Sequence, residues 1–419
     1  MNNLKKALVA VIINFFLLIS PVADAQNRLG FNLPEGKTKY TVPIELIDNL
    51  IVVKVILNNT LPLKFIVDTG IRTAILMEKT FTDLLNINYS RVIAIPGVGG
   101  KKLIDGYIAT NVSLDINGLK GTGHALLVLE EDLLQLKNYL GHNIHGILGY
   151  ELFSRFIVEI NYQNKTMTFY EPEAFAKKKI SKNKKYYAMP ITIEDTKPYC
   201  MARVVFYDGN EVEVRLMLDT GASHALMLHE ESSDKINIPD KKIRSHLGRG
   251  LGGDIHGEIA RVQMLDLDKF QFNHVIAIYP DKQFYDQDFR KIYRNGTLGG
   301  GIFYRFKIIF NFMDGHVYMK KNKRYKDPFN YNMSGITVKA QGLYLDTFEI
   351  VDVRANSSAH KADIKVGDKI IRINNHPTHS LELAEINGIF NSRQNRTIRL
   401  ELSREGQIIR RKFKLVQII

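Results

Sequence analysis

The chain has 419 residues, 45% hydrophobic and 24% charged, with a formal net charge of +13 at pH 7. That length gives room for two or three domains with substantial cores, and the composition is that of a soluble globular protein. A single cysteine, Cys200, excludes an intramolecular disulfide, so the fold has to rest on its core.

Residues 1–25 read as a cleavable export signal. Lys5 and Lys6 precede an apolar run from Ala7 to Ile19, and Pro21 and Ala23-Asp24-Ala25 supply the small-residue cleavage pattern. The run is about 13 residues, short of the ~20 needed to span a bilayer, and no later segment resembles a membrane span. A periplasmic or extracellular location is therefore expected. Residues 26–39 form an N-terminal segment and are a candidate short pro-segment.

From residue 40 one order of features runs twice, over 40–172 and again over 187–322. Leu50 to Leu57 and Leu61 to Val67 read as a hairpin around Asn58-Asn59-Thr60, ending on Asp68-Thr69-Gly70. Tyr199 to Tyr207 and Glu211 to Leu218 flank Asp208-Gly209 and end on Asp219-Thr220-Gly221. Glycine-rich loops follow, with Gly99 lying 31 residues past Asp68 and Gly252 lying 33 past Asp219. Gly146-Ile147-Leu148-Gly149 and Gly296-Thr297-Leu298-Gly299 come next, 78 and 77 residues past their aspartates, each before an apolar strand. Between the halves, 173–186 is a lysine-rich linker, and 323–332 is a second linker after a basic stretch. With no nucleic-acid motif, these clusters read as solvated linkers rather than a nucleic-acid surface.

Two carboxylates about 3 Å apart cannot both ionise cheaply, so one holds a proton and the other is a base, which is what water-mediated amide hydrolysis needs. Asp68 and Asp219 are the candidate pair. Gly70 and Gly221 let backbone N–H groups approach the carboxylates, and Thr69 and Thr220 are placed to hydrogen-bond across the axis and support the dyad. Gly97, Gly99 and Gly100 in one half, and Gly250, Gly252 and Gly253 in the other, are candidate tips of hairpin flaps that close over an extended peptide. The two Leu-Gly turns should pack behind the triplets. His142 and His145 lack a nearby acidic cluster and read as loop residues rather than metal ligands; neither metal nor cofactor is expected.

The two triplets with Ile147-Leu148-Gly149 and Thr297-Leu298-Gly299 resemble the pepsin and retropepsin aspartic proteases over residues 40–322. The resemblance implies two pseudo-symmetric β-barrel lobes, a cleft between them, and Asp68 and Asp219 around one water. Glycine-rich loops in both halves look more like a fused retropepsin dimer than pepsin, which implies a monomer. There are departures: Ile71-Arg72 follows the first triplet where the second has Ala222-Ser223, and Thr297 stands where a larger apolar residue is commoner.

Residues 333–419 change to a small α+β pattern. The run from Ser357 to Asn375 resembles the central segment of bacterial PDZ domains, with Asp363 where glycine is usual. Such a domain adds an extended peptide to a sheet edge. Gly342, Leu343, Tyr344, Leu345 and Phe348 are the candidates for that edge. The whole therefore reads as a mainly β chain, an exported aspartic endopeptidase whose PDZ domain engages peptide or protein partners. The alternative is a catalytically silent peptide-binding scaffold.

Overall fold

The computed structural model describes residues 29–96, 103–284 and 293–419. The export signal and the first glycine-rich loop, Gly97 to Gly100, lie outside the described residues.

The strand Leu50–Leu57 shows how the sequence builds lobe 1. Its residues are buried except Lys54 and Ile56 near the end, and Asn58 and Asn59 then take positive φ, 46° and 57°, which asparagine tolerates and a tight hairpin needs. The chain returns as Leu61–Val67, antiparallel to it, and stops at Asp68. Lobe 1 is a nine-stranded sheet in which Gly146–Leu148 pairs in parallel with Leu61–Val67 and antiparallel with Ala74–Leu76. Lobe 2 is an eight-stranded sheet that repeats this arrangement: Gly296–Leu298 pairs in parallel with Glu211–Leu218 and antiparallel with Leu226–Leu228. The N-terminal segment belongs to the body, since Gly30–Asn32 pairs with Leu119–Leu129 and buries Phe31, which argues against a detachable pro-segment there.

The lobes are joined by a six-stranded sheet with strands from both. At its centre Ile157–Asn161 of lobe 1 pairs antiparallel with Phe306–Asn311 of lobe 2, with Val158 opposite Phe310. Phe153 meets Phe310 edge-on at 5.4 Å between ring centroids, and one continuous core runs through both lobes. Cys200 is a buried residue of that core. The linker at 173–186 is partly ordered, with Pro at the first position of the short helix Pro172–Ala176.

The C-terminal unit has its own sheet, in the order Ile336–Gln341, Thr347–Val353, Lys369–Ile373, Thr397–Arg404, Gln407–Lys414. The helix Leu383–Phe390 buries Leu383, Ile386 and Phe390 in this unit's core. Buried Asp368 is held by both Arg404 Nε (2.7 Å) and Arg404 Nη2 (2.9 Å). Asp363 departs from the PDZ pattern but has φ 56°, the left-handed conformation glycine would supply. Hydrogen bonds from Arg411 (2.5 Å) and Arg404 (3.2 Å) fix its carboxylate and lower its pKa to about 2. Among the described residues, no helix is long and apolar enough to cross a membrane.

Candidate active site

Each aspartate sits where a strand ends against a parallel neighbour. Asp68 N–H donates to Leu148 O and Asp219 N–H to Leu298 O, both at 2.9 Å. The Leu-Gly turns do lie behind the triplets: a Cβ at Gly149 would stand 1.7 Å from Asp68 O, so only glycine fits.

The triplets interlock across the lobe boundary. Thr69 Oγ1 donates to Leu218 O (2.6 Å) and accepts from Thr220 N–H (3.0 Å). Thr220 Oγ1 donates to Val67 O (2.8 Å) and accepts from Thr69 N–H (3.1 Å). Both threonines are fully buried, so this ring of four bonds has no water to replace it. Gly70 N–H donates to Asp68 Oδ1 (2.5 Å) and Gly221 N–H to Asp219 Oδ1 (2.8 Å). A Cβ at Gly221 would come within 2.3 Å of Asp68 Cγ, so the lobe 2 glycine makes room for the lobe 1 carboxylate.

Both carboxylates keep part of their surface open, yet protein packs closely enough that desolvation is the largest influence on Asp68. Burial, the charge of Asp219 and a hydrogen bond with the Asp219 carboxyl push the Asp68 pKa well above the usual carboxylate range; the Gly70 amide and Lys197 oppose this. Two carboxyls so placed do not both ionise readily, and Asp68 binds its proton more tightly than a free carboxyl does.

Sequence reasoning missed two cations here. Lys197 lies at the start of the lobe 2 strand Lys197–Val205, within electrostatic reach of Asp68. Arg294 bonds Gly296 O (3.1 Å), Thr297 Oγ1 (2.5 Å) and Met217 Sδ (3.6 Å). Burial lowers its pKa and the Asp219 charge opposes that. Thr297 is thereby explained, because its hydroxyl accepts the guanidinium. Aligning the halves on Gly146 and Gly296 puts Ile144 opposite Arg294, a signal the sequence did contain. The histidines are engaged elsewhere: His145 Nδ1 accepts the Lys64 amide at 2.9 Å, and His142 lies 4.0 Å from Glu382.

Arg72 pairs with Asp195 of lobe 2 at 3.7 Å, both well exposed. The counterpart contact runs the other way, from Asn49 Nδ2 of lobe 1 to Ser223 O at 3.1 Å. Each lobe thus touches the fourth residue after the other lobe's aspartate, and the bulky first-half pair fits a quasi-symmetric slot.

Gly250, Gly252 and Gly253 stand at the tip of the long hairpin made by Lys242–Gly250 and Gly253–Leu267, where Gly253 has φ 135°. In the C-terminal unit the expected edge is displaced. Gly342 to Leu345 form a turn with Leu343 and Tyr344 fully out in solvent, and Phe348 is a core residue on an inner strand with neighbours on both sides. The sheet's edges are Ile336–Gln341, one strand earlier, and Gln407–Lys414 at the far side.

Comparison with known families agrees with this geometry. An aspartyl protease family model matches residues 53–152 and again 203–301, and a PDZ domain model matches 331–415. The two lobes belong to the aspartyl protease family. A PDZ domain follows them. No curated protein matches the sequence. Among solved structures, the crystal structure of Basic 7S globulin from soybean is similar over 70% of this chain and 97% of its own, at 11% identity and a TM-score of 0.38.

Proposed function

We propose that this protein is an aspartic endopeptidase. The observation that carries the reading is the dyad itself: two aspartates brought together by interlocked threonines, with one carboxyl biased to keep its proton. In this scheme Asp219 takes a proton from a water held between the carboxyls, and the water oxygen attacks the peptide carbonyl carbon. Asp68 gives its proton to the carbonyl oxygen, forming a neutral gem-diol. Asp219 then gives its proton to the leaving nitrogen while Asp68 takes one from a gem-diol hydroxyl; the C–N bond breaks and the dyad returns to its starting state.

The hairpin ending at Gly250 to Gly253 serves as a flap that shields the reacting bond from bulk water. The PDZ domain takes an extended peptide along Ile336–Gln341 and so recruits protein substrates. Residues 1–25 direct export, and the chain works as a monomer because it carries both aspartates. Asp68→Asn and Asp219→Asn should each abolish cleavage of an unfolded protein such as casein. Full activity in either variant would exclude the scheme. N-terminal sequencing of the mature protein tests the export signal, which requires a start at residue 26.

A further inference from the structure

The PDZ domain docks on the protease body through the short lobe 1 helix Leu136–Leu140 and through the lobe 2 side chains Ile243, Ile259 and Ile276, which pack in its core cluster. Asn138 Nδ2 donates to Ala340 O on the edge strand at 2.8 Å. Lys339 Nζ donates to Gln135 Oε1 at 2.6 Å and sits 4.4 Å from the Tyr139 ring centroid. Just beyond the helix, a Cβ on Gly141 would lie 2.7 Å from Leu383 Cβ, at the start of Leu383–Phe390. Segment 135–142 therefore touches both the edge strand and the PDZ helix, at the Lys339 end of the strand.

The same helix holds the lobe 2 hairpin. The Tyr139 ring stacks on His246 at 5.3 Å and 13°, and its hydroxyl donates to Asp254 at 3.2 Å. Arg249 pairs with Asp254 at 2.9 Å and donates to Leu133 O at 2.8 Å. Arg249 and Asp254 flank the tip, so a hairpin rooted in lobe 2 is bonded to lobe 1 at its far end and bridges the gap between the lobes. Ile243, near the root of the hairpin, is buried in the PDZ core cluster.

A peptide adding to Ile336–Gln341 has to use the backbone groups of that edge. The carbonyls of Ile336 and Ala340 point the same way by the two-residue period of a strand. Asn332 Nδ2 donates to the first at 2.7 Å, and Asn138 caps the second. A peptide that extends as far as Ala340 must displace Asn138.

We propose that the helix Leu136–Leu140 is a latch shared by the flap and the PDZ edge. With the edge empty it holds the flap across the cleft; an extended peptide on the edge breaks the Asn138–Ala340 and Lys339–Gln135 hydrogen bonds, shifts the helix and frees the flap for substrate entry. The idea rests on the reading that the dyad cleaves peptides under this flap and that the PDZ domain takes an extended chain.

Hydrogen exchange of the full-length protein carrying Asp219→Asn tests the latch without any need for turnover. Adding Asn138→Ala, or the milder Lys339→Gln, should speed amide exchange in Lys242–Gly250 and the first half of Gly253–Leu267 by about fivefold to tenfold, the effect of losing one or two hydrogen bonds. A synthetic decapeptide of five Thr-Val repeats with a free carboxylate should, where it protects Ile336–Gln341, speed the same flap amides. With the dyad intact, Asn138→Ala should raise kcat/KM on casein several-fold, chiefly through KM. Flap exchange unchanged in both variants would overturn the latch, as would a peptide that protects the edge and leaves the flap as it was. Faster exchange in a protein whose intact form cleaves nothing would leave the latch standing and remove the endopeptidase reading instead.

Discussion

Replacing Thr220 by valine removes a hydroxyl from the interlocked ring and keeps the side chain's shape. Two backbone groups then lose their partners: Val67 O, which accepts at 2.8 Å, and Thr69 N–H, which donates at 3.1 Å. Each buried group left unpaired costs about 1–3 kcal/mol, so Thr220→Val should destabilise the body by roughly 2–6 kcal/mol. Thr220→Ser keeps the hydroxyl and loses one methyl, about 1 kcal/mol. In a body of this size each kcal/mol lowers Tm by roughly 2 °C, so differential scanning calorimetry separates the two variants. The aspartate next to the missing bond loses its rigid support, and kcat should fall with Tm in the valine variant alone. Thr69→Val should behave alike, since Leu218 O and Thr220 N–H lose their partners at 2.6 and 3.0 Å. The double variant should cost about the sum, because the two hydroxyls serve four different backbone groups. Valine and serine variants of equal Tm would refute the claim that the ring, rather than methyl packing, ties the lobes together.

Asp68→Asn should lose cleavage and gain stability near neutral pH. Its raised pKa means that the native state binds this proton more tightly than the unfolded chain does. The stability so supplied is complete below the unfolded value of 3.8 and is lost as pH rises through the folded value; asparagine removes that loss. Melting curves of parent and variant should separate at about pH 7 and converge at about pH 3. The rate profile should keep activity up to the raised Asp68 value and fall above it, a limb read from kcat/KM against pH. Arg294→Met leaves Gly296 O and the Thr297 hydroxyl without their donor and should lower Tm, read by calorimetry; an unchanged Tm would mean that those bonds do not support the site. Arg404→Ala strands the buried Asp368 carboxylate and should destabilise the PDZ domain by about 3–5 kcal/mol, visible as an earlier separate transition, while short-peptide cleavage continues.

The sequence exposed whatever is local to the chain. Asp-Thr-Gly, the hairpins before it and the Leu-Gly turns after it carry their chemistry within a few residues, and the repeat multiplied that signal. What it hid was pairing at long range. Nothing in Ile157–Asn161 marks Phe306–Asn311 as its neighbour, because apolar strands of similar length satisfy one another without a signature. The PDZ edge was placed a strand late for a related reason: Ile336–Gln341 begins directly after a polar stretch that reads as linker, and the glycine at 342, φ 83°, marks a turn rather than an edge. Thr297 and Asp363 looked like defects only while their partners were unknown. Arg294 answers the first, and Arg404 with Arg411 the second.

Symmetry and asymmetry do separate work in this site. The threonine ring, the Gly70 and Gly221 amides and the two parallel strand pairs repeat in both lobes, and together they fix the carboxyls face to face. Two carboxyls in equal surroundings would share a proton without preference, and either could act as acid or base. The surroundings are not equal: the position occupied by Ile144 behind lobe 1 is held by Arg294 behind lobe 2, where the guanidinium feels the Asp219 charge. Burial first, and then the charge of Asp219, raise the pKa of Asp68. In the proposed mechanism this bias gives Asp68 the role of proton donor to the carbonyl oxygen and Asp219 that of base toward water. It also makes the two single asparagine variants unequal probes, for Asp68→Asn mimics a protonated partner, whereas Asp219→Asn removes a charge that raises the Asp68 pKa.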